Sequence, residues 1–435
     1  MRRKNLLLAL FLGTAGLMLG GCSRSVLNYQ VAECIGTLDK YENNEPVETP
    51  KMKAERERKE SEAALETERT SVLEEAEALA LAYEYEQAIA YLQNAESLKD
   101  DDRAIQAIAK YQSELDSMYE YDGDIGHLSF SNLVADTSLA FDNDEYYAVY
   151  RDNMITIDEF RGILNTLYES GYMLIDIHEL ANQTEDSNGD ASLTARRPVI
   201  PEGRKPFILS IDNLDYSSVR NGDGVATRLA FDADGNVGAV LADADGHETI
   251  GAYDVIPVIE EFIAEHPDFS FRGARGIIGV AGQNGAFGYA IEEGSSVDYE
   301  SNAATVKEIA AKLASDGWCF ATMGYGYQKL GELSYDGLRD DITKWKTTVG
   351  NLIGSCDILM YPYGSEVDYA TEKAAYITGQ GYCYLLGLWP GGDHVEVNPT
   401  YLRQTRRMVN GYMFSNYPDN YSPYFSVSAV IDDAR

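Results

Sequence analysis

The stretch Leu209–Tyr216, reading LSIDNLDY, runs from small and apolar residues into an acidic position. A buried β-strand that feeds an active-site loop has this form. Asp212 ends that run with a carboxylate, and the adjacent Asn213 carries a neutral amide. Tyr325, Tyr327, Tyr361, Tyr363 and Trp389 fall at or near expected strand ends. Aromatic faces stack on sugar rings and phenols add hydrogen bonds, so these residues could line a glycan groove. The chain holds 31 tyrosines, however, and many must simply pack. Arg403, Arg406 and Arg407 are conspicuous in an acidic chain; they either grip an anionic sugar or peptide carboxylate, or pair internally. Asp232, Asp234 and Asn236 alternate as in a calcium loop, but Gly is missing at the sixth position and Glu at the twelfth. Hairpin turns explain FDADGNV and ADADGHE better.

The elements that must hold these residues alternate between strand and helix. Strands are expected at Leu128–Val134, Tyr172–Ile177, Phe207–Ile211, Gly276–Ala281, Cys319–Thr322, Ile358–Tyr361 and, last, Tyr382–Leu388. Helices are expected at Ile157–Ser170 (with Thr156 as N-cap), Val255–Ala264, Ala303–Ser315, Ser334–Ile353 and Asp368–Gly379. Such alternation predicts an α/β fold with a mostly parallel sheet or barrel, its site at the carboxyl ends of the strands. Residues 181–205 and 230–251 read as insertions, the first a polar loop. Ahead of the barrel, residues 51–118 are Ala/Glu/Leu-rich and lack Pro and Gly, which favours helix. Leu65, Val72 and Leu79 recur every seven residues, predicting an all-α helical hairpin or coiled stalk.

Motif order and spacing over roughly residues 125–435 resemble the polysaccharide deacetylases of the NodB-like, carbohydrate esterase 4 family. The stretch around Asp212 is similar to that family's T-F-D-D-G motif, whose first Asp is the general base and whose second binds a divalent metal. The resemblance implies a distorted (β/α) barrel, with Asp212 at the base position and Asn213 at a ligand position. Its His-(Ser/Thr)-x-x-His motif falls on Met323–Tyr327, leaving Met323 and Tyr327 at the two histidine positions. The R-x-P-Y-G motif appears as Met360-Tyr361-Pro362-Tyr363-Gly364, with Met360 where the Arg that supports the base belongs. None of His127, His178, His247, His266 and His394 matches the late Leu-x-His. A thioether is soft and a neutral phenol poor as a ligand, so the implied metal site is degenerate and no cofactor is expected.

The amino-terminal segment gives an address. Arg2, Arg3 and Lys4 precede the apolar Leu6–Leu19, and Leu19-Gly20-Gly21-Cys22 has the form of a lipoprotein cleavage site. Residues 1–21 are then a signal peptide, Cys22 the lipidated residue, and residues 22–50 a tether to the membrane. A formal charge of −36 argues against nucleic-acid partners. Cys34, Cys319, Cys356 and Cys383 form no C-x-x-C pair and read as free thiols. The sequence therefore predicts an extracytoplasmic lipoprotein, a metal-free pseudoenzyme that binds peptidoglycan or another N-acetylated glycan. Two alternatives stand beside this: an active deacetylase using zinc or a similar ion on a rearranged set such as Asp212, Asp215 and His394, and a scaffold acting through the helical segment.

Overall fold

The structure is a computed structural model that describes residues 49–185, 191–217, 219–292, 294, 298–388 and 392–435. The expected signal peptide, Cys22, Cys34, nearly all of the tether and Trp389 lie outside the described residues. The chain divides into two compact units, Met1–Glu68 and Arg69–Arg435. Helix α1, Pro50–Leu81, begins in the first unit, where residues 49–68 are exposed on every side. Pairs four residues apart, such as Arg56 with Glu60 at 3.0 Å and Arg58 with Glu62 at 3.3 Å, lend that stretch modest local support. No helix among the described residues is long and apolar enough to cross a membrane.

In the second unit the last turns of α1 are followed by α2 (Tyr85–Asn94) and α3 (Asp102–Asp116). The helices are those expected, and from Arg69 onward they fall in the same compact unit as the barrel. The reason is their small and aromatic face: Ala76, Ala80, Tyr83, Tyr85, Ala88 and Tyr111 are all buried. Tyr83 packs on Phe271 and donates its hydroxyl to the Asp268 carbonyl at 2.8 Å.

Seven parallel strands close into a barrel in chain order. They are β1 (Gly126–Phe130), β2 (Lys205–Ile211), β3 (Ile277–Val280), β4 (Cys319–Thr322), β5 (Ile358–Met360), β6 (Tyr384–Leu388) and β7 (Tyr401–Met408). Each pairs with the next, and β7 returns to β1 through Arg407 with Leu128 and Met408 with Ser129. The short strand Tyr172–Leu174 pairs with the first half of β2. The apolar runs of β2 to β6 follow from this geometry, since a strand in a parallel barrel is buried on both faces. Side chains alternate between the two. Leu128, Leu209, Ile278, Leu359 and Leu385 face the covering helices, among them α4 (Ile157–Glu169), α5 (Val255–Glu265), α6 (Tyr299–Asp316) and α7 (Tyr335–Trp345). Ile208, Ala281, Ala321, Met323, Met360 and Leu386 face inward. Thr156 caps α4 in a reciprocal capping box with Glu159, as expected of that residue.

Three expectations change. Residues 181–205 are not a plain loop: Ala181–Glu185 and Ala191–Ala195 form an antiparallel hairpin, and Val199–Ile200 pairs with Tyr119–Glu120. The expected helix Ser334–Ile353 is regular only to Trp345 and then widens over Lys346–Gly350. The strands do not end at Leu388, because β7 and its antiparallel partner Val395–Asn398 follow. The sequence YLRQTRRM hides a barrel strand because its inward residues include Gln404 and Arg406, both fully buried. Residues 230–251 do form turns, within a three-stranded antiparallel sheet. Asp232 Oδ1 accepts from the Asp234 and Asn236 amides at 2.9 and 2.8 Å, so this carboxylate closes its own turn.

His127 faces inward beside Gln404, its Nδ1 3.0 Å from Gln404 Oε1, an atom that can only accept. Burial, with the Arg406 charge added to it, holds the His127 pKa down at about 3. A depressed histidine keeps its full contribution above the unfolded value near 6.5 and loses it as pH falls toward the folded one. In urea unfolding at pH 7 and pH 5, the unaltered protein should lose about 1.4 kcal/mol per unit below pH ~6.5 beyond what His127→Gln loses. Equal slopes would show that this imidazole takes up its proton within the fold.

Candidate functional site

The carboxyl ends of β2, β4 and β5 and the inward face of β7 bring the site residues together. Asp212 directly follows β2, and its amide donates to the Phe130 carbonyl at 2.7 Å, which fixes the start of the loop. The Tyr327 hydroxyl donates to Asp212 Oδ1 at 2.6 Å, and Arg406 Nη1 donates to Oδ2 at 3.0 Å. Arg406 also reaches Ser129 Oγ from Nη1 at 3.0 Å and the Tyr361 carbonyl from Nη2 at 3.1 Å. Its side chain is fully buried, and that of Asp212 is 8% exposed. Burial raises the Tyr327 pKa, and the adjacent Asp212 carboxylate raises it further, so the phenol keeps its proton.

The Arg absent from the position of Met360 is thus supplied from elsewhere. The expected loss of charged support for Asp212 does not hold, because β7 carries Arg406 into the barrel interior. The described residues of the mouth do not bring together a metal-binding set. Asn213 Oδ1 accepts from the Ala281 amide at 3.1 Å, and its Nδ2 donates to Asp215 Oδ2 at 3.0 Å. The Met323 thioether accepts from the Asn213 amide at 3.2 Å. Asn213, Met323 and Tyr327, which the sequence resemblance set at ligand positions, are therefore all already engaged, Tyr327 on Asp212. A hard divalent ion would find an amide, a thioether and a protonated phenol, which do not fit it. Gly279 makes room for the two methionines: a Cβ there would lie 2.7 Å from Met323 Sδ and 3.0 Å from Met360 Sδ.

The rearranged set does not converge either. Asp215 accepts from Asn213, from the Ser217 amide and hydroxyl, and from Asn284. The His394 side chain is about half exposed and lies 3.8 Å from Glu396. Among the described residues, the one trio of His, Cys, Asp or Glu close enough to share an ion is elsewhere, at Asp176, His178 and Cys319.

Of the expected groove residues, Tyr363 is 63% exposed and its ring meets that of Tyr327 at 5.0 Å in an edge-to-face contact. Tyr361 and Tyr325 do not line a groove, which corrects the sequence reading. Tyr361 is fully buried, outside the barrel wall. Tyr325 is buried under α7, with the Lys344 ammonium 3.8 Å from its ring centre. The arginines are not free to grip an anion, since each holds an internal carboxylate. Arg403 pairs with Glu366 at 2.5 Å, Arg406 with Asp212 at 3.0 Å and Arg407 with Asp393 at 2.8 Å.

Backbone geometry at this mouth is unusual. Asn213, Tyr327 and Tyr363 have φ of 49°, 49° and 56°, in the left-handed region. Asn tolerates that region well, whereas Tyr does not. Asp341 of α7 holds the loop before Tyr327 by accepting from the Tyr325 and Gly326 amides, both at 2.9 Å. No family model matches the chain, and no curated protein matches it. The chain is similar to the solved structure of a Streptococcus pyogenes deacetylase, PplD, in complex with acetate, at 14% identity and a TM-score of 0.36. The alignment covers 69% of this chain and 98% of that one. No residue role is carried over at that distance.

Three substitutions test the site's physics. Arg406→Met strands a buried carboxylate and should cost about 3–5 kcal/mol in denaturant unfolding, with Asp212→Leu added to it restoring much of the loss. Stability unchanged in the single variant would show that the pair is not formed. Asn213→Asp sets a second carboxylate against Asp215, which should destabilise by about 1–3 kcal/mol at neutral pH. That cost should shrink as pH falls through the carboxylate range, since protonation removes the repulsion; a pH-independent cost would refute this origin.

Proposed function

We propose that this chain is an extracytoplasmic lipoprotein whose barrel mouth binds an N-acetylated glycan, such as peptidoglycan, without hydrolysing it. The observation that carries the inactive reading is the state of Asp212: both oxygens are occupied by protein donors, Tyr327 and Arg406. Each of those donors competes with water or substrate for the carboxylate, and a metal-assisted mechanism needs ligands that the described residues of the mouth do not supply. Binding is supported by the Tyr363 ring, a largely exposed aromatic packed against Tyr327. An aromatic face on a rigid turn stacks on a pyranose ring at little entropic cost. Lipidation at Cys22 would keep that mouth near the membrane, where the cell wall is met.

The test pairs binding with turnover. Pull-down on insoluble peptidoglycan and titration with acetylated chito-oligosaccharide should show binding that Tyr363→Ala weakens roughly three- to tenfold, the worth of one aromatic contact. Binding indifferent to Tyr363→Ala would remove the mouth as the glycan surface. Acetate released from either material with added zinc, cobalt or nickel would overturn the inactive reading.

A further inference from the structure

The other end of the barrel, where the strands begin, holds a second group of polar side chains that the mouth does not use. Asp176 and His178 follow the short strand Tyr172–Leu174, Cys319 opens β4, and Asp357 stands just before β5. His178 Nδ1 lies 2.5 Å from Asp176 Oδ1, and its Nε2 lies 3.2 Å from both oxygens of Asp357. Cys319 Sγ is 3.6 Å from Asp176 Oδ2. One ligand atom each from Asp176, His178 and Cys319 fall within 4.8 Å of one another. Between a third and two fifths of the Asp176, His178 and Asp357 side chains is exposed, so solutes can reach the cluster. A cleft of about 10 Å³ lies against Asp176 and Cys319, bounded also by Ile177, Ile208 and Gly317. That is close to the room one water needs.

We propose that Asp176, His178 and Cys319 bind a divalent cation of the zinc class, with Asp357 orienting His178 from behind. The donor set decides the class of ion. One imidazole nitrogen, one thiolate sulfur and one carboxylate oxygen suit a borderline-soft ion that accepts tetrahedral N, S and O donors. Calcium and magnesium, which take oxygen donors almost throughout, do not match it. The carboxylate and the thiolate together offset the charge of a divalent ion. Asp357 supplies what a ligating histidine ordinarily has, a carboxylate accepting from the other ring nitrogen. His178 Nδ1 and Asp176 Oδ1 now stand at hydrogen-bond distance, and ligating one tetrahedral ion means exchanging the shared proton for the cation and parting to about 3.3 Å. Three protein ligands leave a fourth position for water or a small ligand. Without the ion, the same geometry is an imidazolium between two carboxylates, and the experiment separates the two.

The full chain is stripped of metal with a chelator, dialysed free of it, and titrated with Co²⁺ alone. One equivalent should bind with a thiolate-to-cobalt charge-transfer band, which Cys319→Ser removes and which Cys356→Ser and Cys383→Ser retain. Asp357→Asn should weaken binding about 10–100-fold without removing the band. As a check that needs no variant, one equivalent of Zn²⁺ should slow alkylation of Cys319 in the unaltered chain, read by peptide mass mapping. Absence of the band together with unchanged Cys319 alkylation overturns the site and leaves the imidazolium. A band that survives Cys319→Ser overturns it equally. Neither outcome bears on glycan binding at the opposite mouth.

Discussion

A guanidinium buried inside a seven-stranded barrel must find its charge and hydrogen-bond partners among the walls. Arg406 does so by reaching from β7 to Ser129 on β1, to Asp212 at the end of β2 and to the Tyr361 carbonyl after β5. One side chain thus links four of the seven strands at the level of the mouth. Desolvating a guanidinium is expensive, and only near-complete pairing makes it tolerable. The geometry of the mouth follows from that requirement. Asp212 is turned toward Arg406, Tyr327 covers its other oxygen, and Asn213 is left to tie the loop to Ala281 and Asp215. The carboxylate serves the barrel's electrostatics before it can serve any reaction.

Much of this architecture is legible in the chain. The apolar runs of β2 to β6, the Thr156 cap and the turns near Asp232 and Asp243 carry local signals that tertiary packing does not override. The position of Asp212 at a strand end is legible for the same reason. What the sequence hides is β7. A strand whose inner face carries Gln404 and Arg406 has no apolar alternation, so its period is masked by the residues that matter most. The role of Arg406 was hidden with it. The fate of Tyr361 and Tyr325 was hidden for another reason. Whether an aromatic at a strand end faces the mouth or the covering helices is set by the phase of the strand's alternation, and a single residue of shift reverses it. The burial of the helices after Arg69 depends on a partner surface around Phe271 that lies some two hundred positions away.

The two ends of the barrel differ in chemical character. At the carboxyl end stand two thioethers, an amide and a phenol, with the Arg406–Asp212 ion pair and the hydrogen-bonded Asp215 carboxylate beside them. At the amino end an imidazole, a thiol and two carboxylates gather around a small cleft. Barrel enzymes usually carry their reactive groups at the carboxyl end, where loops vary without disturbing the strands. Here the charged groups at that end are bound up with one another, and the thiol and imidazole gather at the other.

The circular strand order has a consequence for how the protein assembles. Strands β1 to β6 pair with neighbours in the chain, but β7 must join β1 across a separation of nearly the whole barrel sequence. Contacts that distant are entropically costly to form early. On a chain emerging from its amino terminus, Asp212 is therefore synthesised long before Arg406, and its carboxylate has no buried guanidinium to meet until β7 is in place. The mouth is desolvated only when the ring shuts. Closure of the sheet and completion of the ion pair are then one event, and a chain stalled before residue 406 would expose both an open sheet edge and an unmatched charge.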